Sequence, residues 1–401
     1  IRDQPRSRGL GDVYKRQNYD NLVFNQLPFN HPLYIMYSSG TTGLPKSIVH
    51  SAGGTLIQHL KELKLHVNLD RDETIFYFTT CGWMMWNWLV SSLSTGATVV
   101  LYDGSPLHPD SRAMWMLVQD LGITVFGTSA KFIAASEAAG EKPKHKFDLS
   151  KLRSILSTGS PLVEESFDYI YRDVKANVLL ASISGGTDLI SCFALGNPTL
   201  PVHRGELQCR GLGMAVESFD TNGQKQLNQK GELVCTHAFP SMPIYFWNDP
   251  DGEKYYNAYF SAFSNVWCHG DYITINEHGG VKIFGRSDAT LNPGGVRIGT
   301  AEIYRVVENI DEIKDSLVVG QEWHDDERVI LFVKLAKNID LTDELISKLK
   351  STIKKTCSPR HVPSIILPID DIPYTINGKK VEIAVKKILK GEDVLLSLIH
   401  I

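Results

Sequence analysis

Strand-like and helix-like segments alternate from residue 33 to about residue 181, and this alternation is the strongest constraint on the fold. The apolar run Thr124–Thr128 is followed by the helical pattern Ser129–Ala139, and the run Arg153–Thr158 is followed by Glu164–Val174. Such alternation favours a parallel sheet covered by helices, with the binding site in the loops that follow the strands. We therefore predict an α/β fold with a parallel α/β core.

The pattern changes twice in the second half of the chain. From Gly205 to Phe284, short strands separated by Gly and Asn turns predict a smaller β-rich subdomain. After Arg286, a β-α-β-β-α-β-like order predicts a small α+β carboxy-terminal domain. We expect a core domain over 18–285 and a carboxy-terminal domain over 286–393. The basic, non-periodic residues 1–17 and the abruptly apolar residues 394–401 look foreign to the fold or disordered.

Residues 38–46 read Ser-Ser-Gly-Thr-Thr-Gly-Leu-Pro-Lys and follow the apolar run Leu33–Tyr37, which we predict to be a buried strand. Gly40 and Gly43 let the backbone turn tightly and present amide groups, while the hydroxyls and the lysine add donors and a cation. This content favours a polyphosphate-binding loop over an ordinary surface turn.

A P-loop is the obvious competing interpretation of the same loop. Pro45 stands where the second glycine of a P-loop must be, and proline has no amide proton and a fixed φ. The segment Thr98–Asp103 imitates the apolar strand and magnesium-binding aspartate of such proteins. We reject the P-loop interpretation because of the proline.

Composition excludes several classes of function. The chain has 401 residues, a net charge of −4 and a pI near 6.4, so nothing favours nucleic acid or an anionic membrane as a partner. Six dispersed cysteines without a C-x-x-C pair predict reduced thiols in a cytosolic protein. The sequence has no membrane-length apolar run and no histidine motif typical of a metal site, and it gives no sign of an obligate protein partner.

The 38–46 loop resembles the phosphate-binding signature of the adenylate-forming superfamily, which includes acyl-CoA synthetases, luciferases and peptide-synthetase adenylation domains. The resemblance extends from about Phe29 to about Lys390 and implies the adenylate-forming fold with a mobile carboxy-terminal lid. Four stretches resemble the acetoacetate-activating branch of the superfamily: Ser51–Glu62, Gly82–Trp88, Ser182–Asp188 and Ile372–Lys380. The resemblance also implies that an amino-terminal portion precedes this chain.

The resemblance implies roles for individual residues. Residues from several motifs would bind ATP: Ser38, Ser39, Gly40, Thr41, Thr42, Gly43, Lys46, Gly159, Ser160, Pro161, Gly185, Gly186, Thr187, Asp271, Arg286 and Arg297. Thr187, Asp188 and Lys379 would be catalytic, with Asp188 replacing the usual glutamate as the Mg²⁺ ligand. Gly294, Gly295 and Lys354 would contact CoA, and Asp288 would be the interdomain hinge.

The implied reaction is that of an acid–thiol ligase. Acetoacetate would react with ATP to give acetoacetyl-AMP and pyrophosphate, and the CoA thiol would then displace AMP. Gly185 stands where acetate-activating relatives carry a bulky aromatic residue, so we expect it to leave room for a longer acyl chain. A synthetase for butyrate, propionate or acetate, a peptide-synthetase adenylation domain, and an inactive nucleotide-binding remnant remain as alternatives.

Overall fold

The structure is a computed structural model that describes residues 24–38, 46–287, 291, 293, 298–324, 326–375, 380–392 and 399–400. The strands are β1 (Pro32–Ser38), β2 (Lys46–Ser51), β3 (Thr74–Tyr77), β4 (Thr98–Val100), β5 (Val125–Ser129), β6 (Ser154–Thr158), β7 (Leu179–Ser182), β8 (Ser184–Gly186), β9 (Ser191–Leu195), β10 (Cys209–Arg210), β11 (Val216–Phe219), β12 (Lys225–Gln226), β13 (Gly231–Cys235), β14 (Tyr245–Phe246), β15 (Trp267–Ile275), β16 (Val281–Arg286), β17 (Ile313–Trp323), β18 (Asp326–Leu335), β19 (Ile365–Pro368), β20 (Tyr374–Thr375) and β21 (Ile399–His400). The α-helices are α1 (Ala52–Lys61), α2 (Met84–Ser91), α3 (Ala113–Asp120), α4 (Ala130–Ala138), α5 (Pro143–Lys146), α6 (Glu164–Tyr169), α7 (Glu253–Tyr259), α8 (Thr300–Val307), α9 (Asp343–Thr356) and α10 (Glu382–Leu389).

A parallel sheet forms the centre of the first half, with strand order β4-β3-β5-β6-β7. The strands β3, β5, β6 and β7 are largely buried, which explains why they are apolar runs in the sequence, while the edge strand β4 is more exposed. Phe126 packs with Trp115 of α3 on one face, and Tyr77 packs with Trp88 of α2 on the other. The predicted parallel α/β core is confirmed.

The β1–β2 hairpin differs from its prediction. The strands β1 and β2 pair antiparallel and form a separate sheet with β14. Leu33, Ile35 and Tyr37 are 48%, 42% and 61% exposed, while Tyr34 and Met36 pack against the core under the sheet. The prediction of a buried strand is therefore wrong, because β1 is an edge strand that buries only one of its faces.

The second half contains the predicted change of architecture. The strands β12-β11-β13-β15-β16 form an antiparallel sheet, and β17-β18-β19 form a smaller sheet on which α8 and α9 pack. No helix in the described part of the chain is both long enough and apolar enough to cross a bilayer.

Glu302 joins the antiparallel sheet to the carboxy-terminal segment. Its carboxylate accepts hydrogen bonds from Lys230 Nζ at 2.6 Å and from the Gly299 amide at 2.7 Å, and it lies 3.3 Å from His361 Nε2. Burial opposes ionisation of this group, but the contacts with His361 and Lys230 outweigh it and lower the pKa of Glu302 to about 2. The folded protein therefore holds Glu302 as a carboxylate at pH values where the unfolded chain is protonated.

We expect Glu302→Gln to destabilise the fold in a pH-dependent way. Because the folded-state pKa is lowered from 4.5 to about 2, the contribution is complete above about pH 5 and disappears as pH falls towards 2. At neutral pH the loss should approach about 3 kcal/mol at most. Thermal melts from pH 7 to pH 3 should show the gap between wild type and variant narrowing as the pH falls.

Glu312→Gln is the matched control for this experiment, because Glu312 forms a surface ion pair with Lys348 in the same part of the chain. That variant should change the melting temperature little at any pH. A Glu302→Gln effect that stays constant from pH 7 to pH 3 would contradict the linkage argument.

Candidate active site

The loops that follow β6 and β7 meet at the carboxyl edge of the parallel sheet. Thr158 Oγ1 donates a hydrogen bond to the carbonyl oxygen of Ile183 at 3.0 Å, which joins the two loops. Gly159 then turns with a φ of +95°, a value that favours glycine. Gly159 and Ser160 are exposed and Pro161 is half-buried. The structure therefore places these three predicted ATP-binding residues at the edge where ligands of α/β sheets bind.

Asp188 lies at the centre of the site, in the turn between β8 and β9. Its Oδ1 atom is 3.1 Å from Lys46 Nζ, although the two residues are 142 positions apart in the sequence. The hydroxyl of Tyr259 donates a hydrogen bond of 2.5 Å to the same oxygen. The turn that carries Thr187 and Asp188 is thereby held against Lys46, the first residue of β2.

The surroundings of Asp188 keep it ionised. Burial alone would raise the pKa of this carboxyl, but the Lys46 ammonium, His269 and the Tyr259 hydroxyl together hold it well below its usual range. Burial and the Asp188 carboxylate raise the pKa of Tyr259 well above its usual range, so its phenol stays protonated and donates. Asp188 therefore presents a fixed negative charge at the carboxyl edge of the parallel sheet, with the Tyr259 hydroxyl as its donor.

Tyr259 was missed by the sequence analysis. It ends α7 and stacks on Trp267 with 3.6 Å between ring centroids, while Lys46 Nζ lies 4.8 Å from the centre of its ring. The stacking fixes the ring, and the ring in turn orients both charged groups. No local motif surrounds Tyr259 in the sequence, so its role could be found only from the fold.

Asp271 and Arg286 face each other on the neighbouring strands β15 and β16. Arg286 Nη1 is 3.7 Å from Asp271 Oδ1, and it donates a hydrogen bond to the carbonyl oxygen of His269 at 3.2 Å. Burial lowers the pKa of His269, whose side chain is only 7% exposed. The structure thus brings together two predicted ATP-binding residues that are 15 positions apart.

Gly185 does not open a pocket, and our expectation of extra acyl space there is wrong. A Cβ atom at this position would lie 1.9 Å from the carbonyl oxygen of Ser191 and 2.6 Å from the Cα of Cys192. A side chain would therefore point into the backbone of β9. The glycine is needed because β8 and β9 approach each other closely here, and it carries no information about the length of the acyl chain.

The residues present fit a magnesium ion that is held mainly by its substrate. The described residues contain no group of three or more His, Cys, Asp or Glu side chains that could enclose a metal. Asp188 offers a single hard carboxylate, and Mg²⁺ is commonly bound through one or two carboxylates together with phosphate oxygens and water. At the end of β1, the buried Ser38 Oγ also has no hydrogen-bond partner among the described residues.

Several predicted site residues lie outside the described residues: Ser39, Gly40, Thr41, Thr42, Gly43, Asp288, Gly294, Gly295, Arg297 and Lys379. Lys354 is exposed near the end of α9, and its contact with CoA stays a prediction.

Lys380 is only 14% exposed and forms ion pairs with Glu308 and, at 3.1 Å, with Asp315. Lys380 is therefore a structural residue and not a solvated lysine.

The P-loop interpretation also fails on geometry. Lys46 begins the antiparallel strand β2, whereas the lysine of a P-loop opens a helix. The segment that imitates the magnesium-binding strand is β4, which lies at the edge of the parallel sheet.

We expect Gly185→Ala to lower the melting temperature strongly or to prevent folding, because the added methyl group would meet the β9 backbone at 1.9 Å. Gly186→Ala is the matched comparison, since its nearest atom outside the adjoining residues lies 3.7 Å away. Thermal melts of both variants would measure the difference. Equal stability of the two variants would restore the open-pocket interpretation.

Comparisons with known proteins agree with this geometry. A family model described as "AMP-binding enzyme" matches residues 7–245. The chain is 58% identical to the acetoacetyl-coenzyme A synthetase of Rhizobium meliloti (strain 1021) over 93% of its length and 57% of that protein. It is 57% identical to the acetoacetyl-CoA synthetase of Danio rerio, again over 93% of this chain and 56% of the relative.

A solved structure shows the same relationship. The acetoacetyl-CoA synthetase from Streptomyces lividans superposes with a TM-score of 0.92 at 46% identity, covering 97% of this chain and 60% of that protein. The chain thus spans a little over half the length of the curated relatives it matches. Because the family model matches more than half of its residues, the chain belongs to the family of AMP-binding enzymes.

Proposed function

We propose that the protein carrying this chain ligates acetoacetate to CoA in an ATP-dependent, AMP-forming reaction. The observation that carries the proposal is the ion pair between Lys46 and Asp188, which joins the end of the phosphate loop to the Thr-Asp turn. The similarity to acetoacetyl-CoA synthetases at 57–58% identity supports the choice of acid. The matched part is a little over half of those relatives, so the proposal concerns the whole protein.

In the first step a carboxylate oxygen of acetoacetate attacks the α-phosphorus of ATP. The new P–O bond gives acetoacetyl-AMP, and the bond to the β-phosphate oxygen breaks to release pyrophosphate. Lys46, Thr187 and Arg286 would bind phosphate oxygens, and Asp188 would hold Mg²⁺. The bound ion would withdraw negative charge from the phosphates, and Lys379 would stabilise the charge that develops on the α-phosphate.

In the second step the sulfur of the CoA thiol attacks the acyl carbon, AMP leaves with the electron pair of the broken C–O bond, and the thiol proton is released to the solvent. Gly294, Gly295 and Lys354 would contact CoA in this step. We propose that residues 286–393 form a lid that turns about Asp288 between the two steps, so that Lys379 serves the first and the glycines serve the second. We also propose that the reaction takes place in the cytosol, since the described cysteines are all free thiols.

ATP–pyrophosphate exchange tests the proposal directly, because the first step is reversible. We expect exchange in the full protein that carries this chain to depend on acetoacetate and to be much slower with acetate, propionate or butyrate. Exchange that favours one of the other acids would keep the adenylation chemistry and replace the substrate. No exchange with any acid would contradict the proposed activity.

We expect Lys379→Ala to reduce adenylation by roughly 10²–10³-fold, the effect of removing one preorganised charge. Thioester formation from preformed acetoacetyl-AMP should be almost unchanged, because the lysine acts only while the α-phosphate is attacked. Single-turnover assays of the two half-reactions would measure both rates.

Lys337→Ala is the control for this variant, because Lys337 is an exposed lysine in the same carboxy-terminal segment. It should leave both half-reactions at the wild-type rate. Equal losses in the two half-reactions of Lys379→Ala would contradict the role of Lys379.

A further inference from the structure

A buried polar cluster lies beneath the Thr187–Asp188 turn and has no part in the steps above. At its centre is Glu62, whose side chain is fully buried. Its Oε1 atom accepts hydrogen bonds from Gln58 Nε2 at 3.0 Å, from the Ser191 hydroxyl and, at 3.4 Å, from the Cys192 amide. Its Oε2 atom accepts a hydrogen bond from Trp88 Nε1 at 2.9 Å. We call these residues the Glu62 cluster.

The cluster fixes the strand that leaves the turn. Ser191 and Cys192 open β9, immediately after the turn, and both donate to Glu62. Gln58 Nε2 also donates to Ser191 Oγ at 2.8 Å, so the hydroxyl is held from two sides. Lys61 Nζ lies 3.6 Å from Glu62 and supplies a balancing charge. A buried carboxylate with this many partners is strongly committed to one geometry.

Two histidines from the same stretch of chain contact the turn itself. His50 Nε2 lies 2.9 Å from the carbonyl oxygen of Thr187, and His59 Nε2 lies 2.5 Å from the carbonyl oxygen of Ile190. Both rings are buried, which lowers their pKa values and keeps them neutral. Segment 50–62 therefore contacts the first and last residues of the 187–190 turn and the strand that follows it.

The turn needs this support because its last residue is strained. Ile190 has a φ of +49°, which is a genuine outlier for a β-branched residue, and its side chain is fully buried. A residue in this region is strained and persists only where the surroundings over-determine its conformation. The hydrogen bond from His59 and the anchoring of Ser191 by Glu62 provide that constraint.

We propose that Glu62 and His59 are positioning residues that hold the 187–190 turn in the strained form that aims the Asp188 carboxylate at Lys46 and at the Mg²⁺ of bound ATP. The proposal rests on the proposed function in so far as Asp188 is the metal-binding group. It gives a role to the stretch Ser51–Glu62, which the sequence analysis singled out and the reaction steps leave unused.

A double-mutant cycle on MgATP binding separates positioning from simple packing. Calorimetry on the full protein would measure ATP affinity with Mg²⁺ and with EDTA for wild type, Glu62→Gln, Asp188→Asn and the double variant. We expect Glu62→Gln to reduce the Mg²⁺-dependent gain in affinity by about 10–100-fold, as outer partners of metal ligands do. In the Asp188→Asn background the same change should cost less than about two-fold, because the two residues act as one unit.

Two further variants keep the test decisive. Glu73→Gln is the matched control. Glu73 is a partly buried carboxylate that pairs with Arg153 at the edge of the parallel sheet opposite its carboxyl edge. This variant should leave MgATP affinity unchanged. Ser191→Ala removes one hydrogen-bond donor to Glu62 and keeps the Glu62 carboxylate. If Glu62→Gln does not fold, this variant replaces it in the same double-mutant cycle.

The positioning role would be overturned by equal costs of Glu62→Gln in the wild-type and Asp188→Asn backgrounds, or by an unchanged Mg²⁺-dependent gain. Both outcomes are independent of the acid substrate. If the exchange assay fails but the double-mutant cycle shows that Glu62 and Asp188 are coupled in MgATP binding, the proposed ligase activity is contradicted. The positioning role is then still supported.

Discussion

The ion pair between Lys46 and Asp188 is the contact on which the rest of the site depends. Lys46 opens β2 and Asp188 lies in the turn before β9, so the pair forms only if the sheet β1-β2-β14 packs beside the β8–β9 turn. That packing is apolar: Ile48 of β2 belongs to the same buried cluster as Leu189 and Phe193. A partly buried charge without its partner is costly, so the apolar contact and the ion pair require each other.

Further aromatic and charged side chains lie next to this ion pair. Tyr259 donates to Asp188 and stacks on Trp267, while His269 and Asp271 extend the same strand towards Arg286. Each ionised group has an opposite charge or a hydrogen-bond donor nearby, which keeps the site ordered. When ATP binds, these ionised side chains can replace their contacts with one another by contacts with phosphate oxygens, so that no charge is left unpaired.

The features that could be predicted from the sequence are those with a local pattern. The parallel sheet was predicted because strands buried on both faces are apolar runs separated by helical periods. The β1 strand was misjudged because an apolar run does not show whether both of its faces are covered. The roles of Tyr259 and Glu62 could not be predicted, since their side chains reach Asp188 and Ser191 across 71 and 129 residues and no local pattern encodes such contacts.

Gly185 shows how a glycine can mislead when only its missing side chain is considered. Its small size serves the spacing of two strands and not the volume of a substrate pocket. Replacing it to shorten the acyl pocket would damage the sheet before it changed the choice of acid. An engineer who wants a different acyl length in this protein must look to other positions.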